Sequence, residues 1–358
     1  MAVASTVLGA VALTVLSAVP AAAVPSAAVS PPEGVELCRM SDPRLTMVSG
    51  IASDGTNWYV VNDHDPQVQV FVLNRDCSVA RVITTGIDHY DVGDVAVAPD
   101  GTIWVAETGD NRRRREHAAF VRITPDGVAS LHRVTYPRGP HDAEALLLDR
   151  DGVPHIVTKE IFGTAYVYRP AEPLRTPGPV PLEEVGTVRF RSTTTPGGPI
   201  PELVGSVMVT GGSVSADGTV VALRTYTEAY LFSAPDGDVV AALAGEPVNI
   251  PIPDEPQGEA IALEPDGTLL STSEGENQPI RAYSGAVELL AEAERSRAAT
   301  ASGPVPSEEE DRAEPARNEG EDAALRADDE GMPGWQALGI AGLLAALLMW
   351  VVSRSRRA

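Results

Sequence analysis

Five Asp-Gly pairs, each set between two short apolar runs, divide the middle of this chain into similar units: Asp54-Gly55, Asp100-Gly101, Asp151-Gly152, Asp217-Gly218 and Asp266-Gly267. Their spacings of 46, 51, 66 and 49 residues approach the length of one four-stranded propeller blade, about 40–50 residues. Asp-Gly is a hairpin signal because glycine accepts the positive φ that a tight turn demands. Segments such as "DVAVAPDGTIWVAETG" and "EAIALEPDGTLLSTSEG" therefore read as strand, turn, strand. A third strand follows each pair, in "VQVFVL", "AAFVRI", "TAYVYR", "EAYLF" and "PIRAY", and a fourth in "SVARVITTG", "ASLHRVTY", "EEVGTVRFR" and "DVVAALAG". The last unit has no fourth strand of its own. "VELCRM" (Val35 to Met40) can supply it, closing the ring and removing an exposed sheet edge. The pattern predicts an all-β fold, a β-propeller over residues 34–287 with five blades. A sixth blade within Arg169–Gly205, where the spacing is longest, is the alternative.

The two ends read differently from the middle. Ala2 to Val19 is small and apolar, and Pro20-Ala21-Ala22-Ala23 follows with Ala21 and Ala23 in A-x-A positions. Residues 1–23 are expected to be a secretory signal peptide; no Lys or Arg precedes the apolar run, and an N-terminal membrane anchor is the alternative. Trp335 to Val352 is an uncharged run of 18 residues. As a helix it would span about 27 Å, close to a hydrocarbon core. Trp335 and Trp350 lie near its edges, and Arg354, Arg356 and Arg357 follow it. The expectation is one C-terminal transmembrane helix over 335–352, a cytoplasmic basic tail over 353–358, and a single-pass cell-membrane protein with its propeller outside the cell. Residues 288–334, acidic and rich in Ala, Pro and Ser, read as a disordered stalk. That stalk carries much of the net charge of −23, so the charge says little about a ligand. It does argue against nucleic acid, which needs a basic face. Cys38 and Cys77 are the only cysteines, and in an exported chain they are expected to form a disulfide across the seam between the closing strand and the first unit.

In such a ring the start of each first strand and the end of each second strand meet on one face. The starts carry Asp91, Asp94, His141, Asp142, Glu144 and Glu259; the ends carry Asp63, His64 and Asp65, then Glu107, Asp110, Lys159, Glu160, Arg224, Glu274 and Glu276. Crowded carboxylates repel one another, and protons or a cation relieve the repulsion. Oxygen-rich, thiol-free surroundings favour Ca²⁺ or Mg²⁺ over zinc. The expected metal ligands are Asp94, Glu144 and Glu259, with Glu107 and Glu274; solvated strand ends are the plain alternative. Arg112 and Arg113, in the loop "GDNRRRRE", could hold a phosphate or carboxylate, or form a solvated loop tip. His141 with Asp142 is the candidate acid–base pair. No G-x-S-x-G, H-E-x-x-H or phosphate-cradling motif is present. The Asp-Gly aspartates fall on the opposite face and are assigned to turn geometry alone.

"SGIA", "GDVAVAPDGTIWVAETGDN", "HDAEALLLD", "VTKE" and "QGEAIALEPDG" together resemble secreted bacterial β-propellers of the esterase-like or phytase-like kind, frequent in actinobacteria. The resemblance runs from about Val48 to Tyr283. It implies calcium at acidic positions such as Asp94, Glu144 and Glu259, and in some members hydrolysis of phosphate esters or lactones. Ser49-Gly50 and Gly211-Gly212 stand where the first and fourth units would need an acid, which argues against a centre with several calcium ions. The reading that follows is a binding or scaffold module taking a cation or small polar ligand at its channel mouth. A metal-dependent ester or phosphoester hydrolase, and a propeller that presents its surface to a protein partner, are the alternatives.

Overall fold

The computed structural model describes residues 30–301. β1 (Val35–Arg39) precedes four regular meanders. The first is β2 (Val48–Ser53), β3 (Trp58–Asn62), β4 (Gln67–Leu73) and β5 (Val79–Asp88). The second is β6 (Asp94–Val97), β7 (Ile103–Glu107), β8 (Ala118–Ile123) and β9 (Ala129–Thr135). The third is β10 (Ala143–Leu148), β11 (Pro154–Thr158), β12 (Thr164–Pro170) and β13 (Val180–Arg189). After the short helix α1 (Glu202–Gly205), the fourth is β14 (Val209–Val214), β15 (Val220–Thr225), β16 (Glu228–Ser233) and, beyond helix α2 (Val239–Leu243), β17 (Val248–Pro251). The last unit is β18 (Gly258–Leu263), β19 (Leu269–Ser273) and β20 (Pro279–Tyr283), followed by α3 (Ala286–Ala301).

Within each unit neighbouring strands pair antiparallel, and β1 completes the last sheet by pairing with β20, the role the sequence predicts for it. The first strands β2, β6, β10, β14 and β18 touch one another in turn, and β18 returns to β2. The core follows this ring: it divides into clusters at the junctions between neighbouring sheets. Trp58, Phe71 and Leu45 pack against Leu270 and Ile280 where the first and last units meet, for example. Phe120 and Trp104 pack against Leu146, Tyr168 and Leu182 between the second and third. A closed ring of sheets stacked face to face in this way is a β-propeller. β9 and β13 also pair in parallel over two residues, which joins the second and third sheets at their outer edges.

The Asp-Gly turns explain the tight spacing. In the second unit the Gly101 N–H donates to Ala98 O at 2.9 Å, the Ala98 N–H to Thr102 O at 2.8 Å, and the Asp100 carboxylate accepts from the Thr102 N–H at 2.9 Å. Gly101 takes φ 80°, a conformation that costs other residues about 1–2 kcal/mol. Asp126-Gly127 and Asp236-Gly237 make the same turn outside the first hairpins, with Gly127 N–H on Thr124 O and Gly237 N–H on Ala234 O. Cys38 on β1 and Cys77 after β4 are joined in a disulfide, as expected.

Two segments differ from expectation. "DVVAALAG" is the helix α2 and not an outer strand: the Asp238 carboxylate caps it by accepting from the Val240 and Ala241 N–H groups at 2.9 and 3.0 Å, which favours helix over strand in an alanine-rich run. The outer strand of that unit is β17. The stretch Arg169–Gly205 adds no further sheet; it holds the long β13 and α1. Helix α3 occupies Ala286–Ala301, so ordered structure continues past residue 288, where the sequence suggests a stalk. Ala286, Leu289 and Leu290 bury against the fourth and fifth units, and Arg297 donates to the carbonyls of Glu246 and Pro247. Among the described residues no helix is long and apolar enough to cross a membrane. The signal-peptide segment 1–23, the remainder of the stalk, the run 335–352 and the tail 353–358 lie outside the described residues.

Candidate functional site

An irregularity shared by the first strands shapes one face of the ring. The pairing register skips one residue between Val48 and Gly50, between Ala143 and Ala145, between Val209 and Gly211, and between Gly258 and Ala260. The bulged residues are Ser49, Glu144, Thr210 and Glu259. In the second unit Gly93 stands at the same place, its N–H on Ala106 O while Asp94 pairs with Ala106. A bulge turns its side chain out of the strand alternation, here toward the mouth of the central channel. The same registers align a second set just past the ends of the second strands: Asp63, Thr108, Lys159, Tyr226 and Glu274.

The two sets meet at Lys159. Its ammonium lies 3.5 Å from Glu144 Oε1, 3.7 Å from Glu259 Oε1 and 5.0 Å from the centre of the Tyr226 ring. Gln257 Nε2 donates to the same Glu259 oxygen at 3.3 Å. The Asp110 N–H donates to Asp142 Oδ1 at 2.7 Å. Lys159, Glu144, Glu259, Asp142 and Glu274 are all buried. Asp63, Asp91, Glu144, Glu259 and Glu274 lie in this region with Asp142 and the Lys159 ammonium, and burial is the first cause that raises the titration of each of the five. Burial, then Asp142 and Asp63, push Asp91 up to about 7. Burial, then Glu259 and Asp63, push Glu274 up to about 8. Glu144 is held well above the usual carboxylate range by burial, against the pull of Lys159. Burial alone would depress Lys159, yet Glu259, Tyr226, Glu144 and Asp142 together carry it well above 10.5. The Glu274 carboxyl group has no hydrogen bond or ion pair among the described residues, and Asp63 Oδ1 is a buried oxygen without a donor.

Of the residues singled out in the sequence, Glu144, Glu259, Glu274 and Asp142 come together here. Asp94 does not. It stands one register position beyond the bulge, equivalent to Ala145 and Ala260 and not to Glu144 and Glu259. Fully buried, it accepts from the N–H groups of Val95 at 2.8 Å, Leu146 at 2.9 Å and Gly212 at 3.0 Å, stapling three first strands together. Glu107 sits behind the mouth, accepting from the Tyr90 and Asp91 N–H groups at 2.7 Å and paired with Arg115. Arg113 pairs with Glu160 at 2.6 Å, Arg112 is exposed, and Arg115 is the arginine of this loop that acts on Asp91. His141 packs among Tyr136, Tyr166 and Tyr168, with Nδ1 3.3 Å from Glu160 Oε1, and among the described residues no hydrogen bond or ion pair joins its ring to the Asp142 carboxyl. Asp63, Asp91 and Lys159, which the sequence places on this face without a role, join them, and Tyr226 is the member that strand-end reasoning passes over.

The site's donor set does not fit calcium. Ca²⁺ takes 6–8 oxygens at about 2.3–2.6 Å. Among the described residues no three Asp, Glu, His or Cys side chains converge on one point, and the Lys159 ammonium fills the space between Glu144 and Glu259. A cavity of about 610 Å³ opens on the opposite, Asp-Gly face, lined by Val95, Leu148, Ser213 and Leu263 among others. It is remote from the carboxyl cluster, and its rim aspartates, Asp54, Asp100 and Asp217, are bound to turn N–H groups.

No protein-family model and no curated protein matches the chain. Among solved structures it is similar to a gluconolactonase from Xanthomonas campestris, at 15% identity over 66% of this chain and 72% of that one, with a TM-score of 0.38. It is also similar to a virginiamycin B lyase from Staphylococcus aureus, at 14% identity over 68% and 67% of the two chains, TM-score 0.36. An aldose sugar dehydrogenase from Streptomyces coelicolor, bound to PQQ, matches at 10% identity over 71% and 99%, TM-score 0.38. Likeness at this level carries nothing about the chemistry of this chain, and none of these relatives speaks to the esterase-like or phytase-like kind. The architecture rests on the strand pairing described above.

Proposed function

We propose that this chain is a five-bladed β-propeller, exported and held at the cell membrane by Trp335–Val352, that serves as a binding module for a small cation at its channel mouth. The five meanders and their circular order support the blade count; the apolar run and the arginines after it support the anchor. One observation carries the binding reading: the buried Lys159 ammonium sits between Glu144 and Glu259, with the buried acids Asp142 and Glu274 among its electrostatic neighbours. Such an excess of acids over one ammonium is relieved by protons or by an incoming cation. The test is the melting temperature of the full chain in detergent with small inorganic and organic cations, each against sodium chloride of equal ionic strength. A ligand at 100 times its Kd adds about 2.7 kcal/mol of stability. The reading expects at least one cation to raise the melting temperature, and Glu259→Gln to reduce the rise. No rise with any cation overturns it.

A second reading, hydrolysis of an ester at the same mouth, has one specific observation in its favour. Asp91 at about 7 and Glu274 at about 8 lie where a general acid or base works best near neutral pH. Turnover of simple lactone, ester or phosphoester substrates, lost in Glu274→Gln, would support it. An inactive full chain across such a panel leaves binding alone.

A further inference from the structure

One buried charge in the core is required by nothing in the fold. Arg224, on β15, is fully buried. At the same register position the other units carry Val61, Ala106, Val157 and Thr272, all buried and uncharged. The counter-ion is Glu255, also fully buried, with Oε2 3.1 Å from Arg224 Nη2. Taking an ion pair out of water is costly, and well-packed apolar residues of similar volume are often as stabilising or more so. Stability alone therefore does not account for an arginine where two other units use valine.

Arg224 reaches out of its own sheet into the next. Its Nη1 donates to Ala260 O and Ser271 Oγ at 3.0 Å and to Thr272 O at 3.2 Å. Nε donates to Thr225 O at 3.0 Å and Nη2 to Tyr226 O at 3.3 Å. A Cβ on Gly258 would lie 1.9 Å from Nη2, so the guanidinium fills the hollow behind the bulge at Glu259. It thereby touches the residues on both sides of Glu259 and holds the carbonyl of Tyr226, and those two side chains both face the Lys159 ammonium. Glu255 fixes the guanidinium in turn: its Oε1 accepts from Ser271 Oγ at 2.5 Å and from Arg281 Nη1 at 3.2 Å. We propose that Arg224, locked by Glu255, is a positioning residue of the mouth, setting the Glu259 bulge and Tyr226 against Lys159. It acts through backbone contacts and touches no ligand, and the role does not depend on what the mouth takes.

Lysine labelled with ¹⁵N at Nζ reads this contact directly, because Lys159 is the only lysine. Arg224→Met combined with Glu255→Gln removes one charge of each sign, so the net charge is unchanged. In the full chain in detergent, with an unchanged far-ultraviolet spectrum, this pair variant is expected to titrate at Lys159 lower by about one pH unit or more. Ser271→Ala changes no charge and removes the hydroxyl that bonds both Arg224 and Glu255. It is expected to shift the titration the same way by a smaller amount, and it answers if the pair variant does not fold. Arg75→Met with Glu264→Gln removes an ion pair just past the far end of β18 and is expected to leave the Lys159 titration unchanged. An unchanged titration in the pair variant, or in Ser271→Ala where the pair variant does not fold, overturns the proposal. An equal fall in the Arg75 control also overturns it. Neither result touches the cation-binding reading, which stands or falls on the melting temperatures.

Discussion

At the scale of single residues, the account turns on a lysine. Removing one member of a buried ion pair strands the other, at about 3–5 kcal/mol. Lys159→Met is therefore expected to destabilise the protein by about 3 kcal/mol at pH 7.5, measured by denaturant unfolding. The loss should shrink toward pH 5, because Glu144, whose carboxyl group already sits high, can then take a proton. Glu274 gives a second expectation. Its folded value of about 8 lies above its ordinary 4.5, so between those pH values the folded state binds more protons than the unfolded one. Its contribution is full below pH 4.5 and is lost as pH rises through 8. The melting temperature should fall from pH 5 to pH 8.5, and Glu274→Gln should flatten that fall; a slope equally steep in the variant contradicts the assignment. The sequence contains a signal for Lys159 that strand-end reasoning does not use. It is the only lysine in a chain whose Lys and Arg total 27. Glu144, Glu259 and Glu274 were legible because they sit at the open ends of hairpins whose turns are recognisable. Tyr226 was not, since an aromatic residue at a strand end reads as core.

At the scale of elements, turns and strands were legible and bulges were not. Third strands such as "AAFVRI" and "PIRAY" stand where their alternation puts them. "DVVAALAG" became helix α2 because the Asp238 cap and the alanines outweigh its two valines. A bulge leaves no mark in hydrophobic alternation until its pairing partner is known, which is why Asp94 looks equivalent to Glu144 in sequence and is not. Close approach at the bulges leads to a test. A Cβ on Gly211 would lie 2.4 Å from the carbonyl oxygen of Glu259, a backbone atom with little freedom to move. Gly211→Ala is expected to cost at least about 2 kcal/mol and to weaken cation binding by shifting β18. Gly127→Ala, where no atom lies within 4 Å and only the φ of 87° resists, should cost about 1 kcal/mol and leave binding unchanged. Equal effects of the two on binding would contradict the role given to the bulges.

At the scale of the whole molecule, the period of the Asp-Gly pairs predicts a ring, and β1 beside β20 closes it. The disulfide between Cys38 and Cys77 fastens that seam over a sequence separation of 39 residues, worth about 4 kcal/mol in the chain-entropy view. Cys38→Ser with Cys77→Ser should lower unfolding stability by about that much while the cation response of the folded protein persists; a lost response would mean that the seam shapes the mouth. Radial closure is also what brings Glu259 of the last unit to Lys159 and Glu144 of the third. Because the chain has a single lysine, lysine labelled with ¹⁵N at Nζ gives one ammonium signal, and following it in the full chain from pH 7 to pH 11 tests the convergence most directly. The account predicts a signal that stays protonated above 10.5 and titrates lower in Glu259→Gln. A signal that titrates at or below 10.5, and does not respond to that substitution, would contradict it.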